Sequence, residues 1–282
     1  SIQYAQQHTC TIIYKAMKFI SFGSGSSGNC YYLTTGTDAL LIDVGVGIRI
    51  LKREIANYGI SLNSVKNILI THDHTDHVKS VGSISSQYKI PVYATRKVHE
   101  AIFNNRFIKM KVHEPFIRYV EKGVTTNIGE FQVTPFNVPH DANDTVGYII
   151  RNNGITLSII TDCGHITEEM PSIIKHSDYL IMEANHDIDM LRKGPYPPYL
   201  QKRISGPYGH LSNDSCATVL ADNYSEKLKH VWLCHLSEKN NTPQKAHCAV
   251  EDALKEKGIK INSQIKIDVL DRKKPSGIFE LI

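Results

Sequence analysis

The chain alternates short apolar, β-branched runs with polar, turn-forming stretches, and the runs are too short for buried helices. They predict strands over 18–22, 30–35, 39–43, 66–71, 130–138, 145–151, 154–161, 178–183, 229–234, 265–270 and 277–282. Helix-like segments fall between them at 48–58, ending at Gly59, at 78–88, at 96–104 and from Ser212 to Asn223. A last one runs over 243–257, where Thr242 caps, Pro243 takes the first helical position and Gly258 closes. Strands in adjacent pairs, mixed with single strand-helix units, predict an α/β fold with two sheets face to face and helices outside.

Residues 1–16 carry no clear period, and the pattern starts afresh at Met17. We therefore expect an N-terminal extension over 1–16 and one domain over 17–282. No internal repeat or low-complexity linker interrupts it.

Composition narrows the class only a little. Hydrophobic residues at 41% and charged residues at 21% are ordinary globular values. No apolar run approaches the roughly 18 residues a membrane span requires, so no membrane role is expected. The six cysteines are scattered without a CxxC, and no signal-like segment stands at the start, so the expected location is cytoplasmic. A net charge of +4 identifies no partner, though it suits a polyanion drawn to one face.

The chemistry concentrates in THDHTDH, residues 71–77, directly behind Ile68-Leu69-Ile70. In an extended segment His72 and His74 point the same way and can grip one ion. Asp76 and His77, past the strand and at the start of the 78–88 helix, can reach a second ion close by. Further ligands must come from elsewhere, and His140, Asp162 and His235 each stand where a predicted strand stops. Side chains at strand ends converge in space although they lie far apart in sequence. Imidazole and carboxylate ligands suit zinc or manganese.

The order HDHTDH, NVPH, ITDCG, LCHLS resembles the metallo-β-lactamase superfamily from Met17 to the C-terminus, and GSGSSGNCYYL, MEANHD, RISGPYGHLSN and CHLSEKNNTP are most similar to its YycJ/WalJ-like branch. The resemblance implies the αββα sandwich of that superfamily, with two mixed sheets face to face. It implies two divalent metal ions, one held by His72, His74 and His140 and the other by Asp76, His77 and His235, with Asp162 bridging both. It also implies that Asp76 is part of the catalytic set, that His210 of GPYGHLSN stands near the leaving group and that Glu183 of IMEANHD orients its ring.

The superfamily fold hosts lactam, thioester and phosphodiester hydrolysis, so the ligand set has to decide. Two adjacent ions can stabilise both the attacking and the leaving oxygen of a phosphoryl displacement, with a hydroxide shared between them as nucleophile. The expected function is a phosphodiesterase or nuclease, DNA exonuclease-like, with DNA or RNA as substrate. Hydrolysis of a small ester, thioester or cyclic nucleotide is one alternative, and a regulatory binding protein with structural metals is another. About seventy residues separate Asp162 from His235, too few for the inserted domain of β-CASP nucleases, and no Gly-Pro-rich arm like that of tRNA 3′ processing enzymes is present.

Other features carry two readings each. Strand alternation turns Cys163 and Cys234 away from the metals. His99, His113, His165, His176, His186, His230 and His247 read as surface or ligand-supporting residues, with His186 of MEANHD the strongest exception. The GSGSSGN loop is either a phosphate-facing rim or a tight turn. The basic and aromatic segment 88–122 is either a solvated helical face over core aromatics or a surface that tracks a nucleic-acid backbone.

Overall fold

Nearly every long strand is apolar on both faces, so each sheet must be covered on both sides. The computed structural model, which describes residues 16–282, meets this with two seven-stranded mixed sheets. The extension expected at 1–16 lies outside the described residues, apart from Ala16.

The first sheet holds β1 (Met17–Gly23), β2 (Cys30–Thr34), β3 (Ala39–Ile42), β4 (Asn67–Leu69), β5 (Val92–Ala94) and β6 (Ile117–Tyr119). The second holds β7 (Thr126–Ile128), β8 (Phe131–Asn137), β9 (Val146–Asn152), β10 (Ile155–Ile160), β11 (Tyr179–Glu183), β12 (His230–Cys234) and β13 (Lys266–Val269). The chain then returns as β14 (Phe279–Leu281), antiparallel to β1 at the edge of the first sheet. The two sheets share one plan. β1–β3 pair antiparallel and β3–β6 parallel, while β7–β10 pair antiparallel and β10–β13 parallel.

Alternation divides the core into three layers. Phe19, Tyr31 and Leu40 from the first sheet meet Tyr148, Ile181 and Trp232 from the second, and Phe19 and Trp232 pack with ring centroids 4.7 Å apart. Each such side chain contributes about 1.5–3 kcal/mol by leaving water. Their sequence neighbours point outward. Ile20, Leu41 and Ile68 pack under α1 (Ile48–Asn57), α2 (Thr75–Val78), α3 (Val81–Tyr88) and α4 (Arg96–Asn104). On the other side Leu180, Met182 and Leu233 pack under α5 (Met170–His176). After α6 (Ile188–Lys193) and α7 (Pro198–Ile204), α8 (Asn213–Asp222) and α9 (Pro243–Glu256) complete that outer layer.

The helix predicted over 78–88 starts only at Val81, as α3, and Asp76 and His77, expected at its start, stand on the separate α2. Ser80 leaves helical geometry at φ −109°, ψ 3°, its amide donates to Val44 and its hydroxyl to Val46, so α2 takes its own direction, carrying Asp76 and His77. The segment 88–122 is not one helical face either: it holds β5, α4 and β6. Three-residue strands show too few alternations to register as a pattern, and the short β7 escaped for the same reason.

Candidate metal centre

The strands that precede the chemistry run the same way. β4, β8, β10, β11 and β12 all end at one edge of the sandwich, where Glu183 closes β11 and the segments after the other strands carry His72 to His77, His140, Asp162 and His235. Three residues there adopt positive φ without being glycine: Asp43 at 59°, Asp162 at 52° and His235 at 54°. Each closes an apolar strand, and the left-handed turn takes its side chain out of the strand's alternation. Such a conformation costs about 1–3 kcal/mol, so the packing around it must hold it there.

Two trios of ligand atoms form. His72, His74 and His140 lie close enough to share one ion, with His74 Nδ1 3.2 Å from His140 Nε2. Asp76, His77 and His235 form the second, with Asp76 Oδ2 3.4 Å from His235 Nε2 and 3.7 Å from His77 Nε2. Asp162 reaches both: Oδ2 lies 3.1 Å from His77 Nε2, and Oδ1 lies 3.6 Å from His140 Nε2. All seven expected ligands are thus gathered at one place.

The far side of most rings is anchored, which decides the nitrogen left for an ion. His77 Nδ1 donates to Asp43 at 2.7 Å, His140 Nδ1 to the Gly209 carbonyl at 3.0 Å, and His235 Nδ1 to Glu183 at 3.0 Å. Each leaves Nε2 facing inward. Glu183 is a hub. Its Oε1 accepts from His210 Nδ1 at 2.7 Å as well as from His235, and its Oε2 accepts from the amides of Cys163 and Leu211. His210, partly exposed, stands between the trios, its ring centroid 5.0 Å from that of His140 and 5.3 Å from that of His235.

Charge divides the two trios. Burial, helped by the neighbouring imidazoles, pushes His72 well below the usual histidine range and lowers His140, so both rings are neutral. Burial works against charge on His77 and His235 too, but Asp162 and the other carboxylates around them win, raising His77 well above its ordinary value and His235 to about 10. Burial likewise opposes ionised Glu183, yet His210 and His235 bring it down to about 2. Asp162 is held well below the usual carboxylate range despite burial, chiefly by His235 and His77.

The fit to metal rests on His72. Its ring is fully buried, and Nε2 has no hydrogen-bond partner. Such an orphan is costly unless something else coordinates it. Nitrogen and carboxylate donors converging on that atom are a donor set for a divalent cation.

Several residues went unread in the sequence. Asp43, fully buried, accepts from the Thr71 amide and hydroxyl as well as from His77, which ties the 71–77 turn to β3. It ends an apolar strand just as Asp162 does, so the same signal would have found it. Asn185 of MEANHD donates to the His235 carbonyl. Asn29 of the GSGSSGN loop lies 2.9 Å from His77 Nε2, and its amide donates to the Asp76 carbonyl, so that loop packs against the site. A Cβ on Gly45 would sit 1.6 Å from the same Asp76 carbonyl, which leaves room only for glycine.

The remaining expectations divide. Cys163 and Cys234 lie in apolar packing, and burial raises both thiols, so neither offers a thiolate. His99, His165 and His230 bond to Arg118, Pro207 and Asp268 away from the trios. His186 is buried, and its Nδ1 has no partner. In 88–122, Lys111 and Arg118 are tied to backbone carbonyls and Arg96 stacks on Tyr119, while Lys89, Lys97 and Lys109 carry no ion pair among the described residues. Among the described residues no helix is long and apolar enough to cross a membrane.

Residues 39–235 match the family described as the beta-lactamase superfamily domain. The chain is 34% identical over 262 residues to the exodeoxyribonuclease YycJ of Bacillus anthracis, covering 93% of this chain and 98% of that one. It is 31% identical over 250 residues to the exodeoxyribonuclease WalJ of Streptococcus pneumoniae, covering 89% and 93%. Among solved structures, the metallo-β-lactamase fold protein YhfI of Bacillus subtilis superposes with a TM-score of 0.70 over 94% of this chain and 99% of that one, at 14% identity, a likeness of fold. The strand order, the histidine and aspartate cluster and these matches place the chain in the metallo-β-lactamase superfamily, in its YycJ/WalJ-like branch.

Proposed function

We propose that residues 17–282 form one hydrolase domain that degrades DNA from an end, using two divalent ions. The chain is a metal-dependent hydrolase acting on phosphodiester bonds. The finer reading is supported above all by Asp162, whose two oxygens face different trios. His72, His74 and His140 would hold one ion, Asp76, His77 and His235 the other, and Asp162 would join them. When bound, the ions supply the positive charge that stabilises the attacking and leaving oxygens and eases ionisation of the attacking water. Zinc and manganese both suit these donors.

The chain's own groups do the rest. His210, raised by Glu183 although burial opposes it, keeps a proton at Nε2 while Nδ1 is held by the carboxylate. It gives that proton to the departing deoxyribose oxygen. Glu183 also fixes His235, so one carboxylate positions both the proton donor and a ligand. Asp76 would serve catalysis as a carboxylate ligand of its ion, beside His77 and His235.

The reading is tested with purified protein, labelled single- and double-stranded DNA and RNA, and zinc or manganese supplied separately. Mononucleotide release from linear DNA and a metal content near two per chain are expected. Saturation at one ion under both metals would end the two-ion reading, and degradation of RNA alone would end the DNA reading.

A further inference from the structure

Beside His210 the structure opens into a cavity of about 520 Å³ walled by α6, α7 and the first turn of α8. That volume lies within the range of small-ligand pockets, about 300–1,000 Å³, and suits a single nucleotide far better than a duplex. Its polar lining includes Arg192, Lys202, His186, Ser212, Ser215 and His210, and no Asp or Glu lines it among the described residues. Among the described residues neither Arg192 nor Lys202 has a carboxylate within ion-pair distance, although Arg203 next to Lys202 pairs with Asp141. His186 is 2% exposed, and its Nδ1 has no partner. Ser212 caps α8, whose N-terminal end favours negative charge. Unpaired cations, a buried unpartnered imidazole nitrogen and a helix start are thus assembled around one space.

The larger cavity on the other flank has a different character. It places Asp73 and Glu100 beside Lys97 and Arg106, so its charges cancel. A cavity lined by Arg49, Lys79 and Lys109 is also positive, but the α6–α7 cavity combines such a lining with contact to the proton donor. Near it, Tyr199 is 75% and Tyr208 59% exposed, flat faces available for an unpaired base.

We propose that this cavity takes the terminal nucleotide of a DNA strand and grips its end phosphate. The proposal rests on the DNA-hydrolase reading above, and it makes the α6–α7 segment, rather than 88–122, the part that recognises the strand end. A phosphomonoester carries more charge than an internal diester, so Arg192 and Lys202 prefer an end over any interior position. With His210 at the cavity's mouth, an end phosphate held there sets the next phosphodiester against the metal trios. Cleavage one nucleotide from a phosphorylated end follows.

The test uses single-stranded oligodeoxynucleotides of one sequence carrying a 5′-phosphate, a 3′-phosphate or hydroxyls at both ends, together with a circular form. Binding is measured by anisotropy with chelator present, and cleavage with metal present, on the wild type and on an Arg192→Ala/Lys202→Ala double variant. Both side chains are exposed, and unchanged melting of the variant controls for folding. The expected result is that one phosphorylated end binds and is cleaved about 10-fold or more better than the hydroxyl-ended strand, with the circle cut slowest. The double variant should lose that preference while hydrolysing the hydroxyl-ended strand and a small chromogenic phosphodiester as the wild type does. Equal handling of all ends, a preference that survives the double substitution, or a circle cut as fast as a line overturns the proposal and leaves the DNA hydrolase standing. No cleavage of any DNA alongside hydrolysis of the small diester overturns the DNA reading instead. The chelated binding measurement then decides the cavity separately.

Discussion

The two trios are built by the same recipe and end in different protonation states. Each takes two residues from the 71–77 turn of the first sheet and one from a loop of the second: His72 and His74 with His140, Asp76 and His77 with His235. In the first trio all three donors are imidazoles, and burial keeps His72 and His140 neutral. In the second, carboxylates surround the rings, and His77 and His235 hold protons where a cation would otherwise sit. The difference teaches that the first trio is ready to coordinate, whereas the second must release protons to do so.

The largest effect breaks the comparison outright. Because Asp162 faces both trios, Asp162→Ala should cost both ions, and phosphodiester hydrolysis should fall to background. Elemental analysis of the purified variant checks this. Retention of two ions would mean that the trios stand independently and that the aspartate does not join them.

A smaller loss is expected from His210, which lies between the trios and belongs to neither. His210→Ala should keep the metal content of the wild type and lose about 10²–10⁴-fold in turnover on a substrate with a poor leaving group. On an activated aryl phosphodiester the loss should shrink, since a good leaving group hardly needs the proton. An equal loss on both substrates would remove the proton-donor role.

Asp43 separates the trios more finely, for its carboxylate bonds His77 directly and reaches His72 of the all-imidazole trio only through the Thr71 hydroxyl. Asp43→Asn should weaken one ion by about 10–100-fold and leave the other near wild type. A titration with a metal-sensitive dye reads two affinities, and a parallel drop in both would show that the trios are not distinguishable through this contact.

How much of this the sequence disclosed depends on how locally each feature is encoded. The 71–77 cluster could be read because its four ligands fall on one turn, and His140, Asp162 and His235 because each follows an apolar run long enough to be recognised. Asp43 passed unnoticed although it follows Ala39–Ile42, since a carboxylate reads as a ligand before it reads as a support for one. The split between α2 and α3 could not be seen, because it depends on Ser80 bonding to Val44 and Val46, residues that only the folded sheet brings near. The α6–α7 cavity was invisible for a similar reason: α6 and α7 are short, α7 begins in a proline-rich stretch, and the free cations they present become distinctive only when ion pairs elsewhere are known.

The smallest effect, and the one that tests the charge difference itself, is the pH dependence of the metal-free protein. His235 and His77 have folded-state values raised above an unfolded value near 6.5. Their contribution is therefore fully present below about pH 6.5 and is lost as pH rises, through about 10 for His235. His72 and His140 are depressed, so their contribution is present above that unfolded value and is lost as pH falls below it. The two trios thus tilt the stability curve in opposite directions on either side of one pH. Thermal melts of chelator-treated protein should show Tm falling from pH 6.5 toward 10, and His235→Gln should flatten that limb while leaving the acid limb in place. Loading with metal should flatten it too, since coordination takes neutral rings. A metal-free alkaline limb that is level in the wild type, or unchanged in His235→Gln, would show that protons on the second trio do not balance its carboxylates.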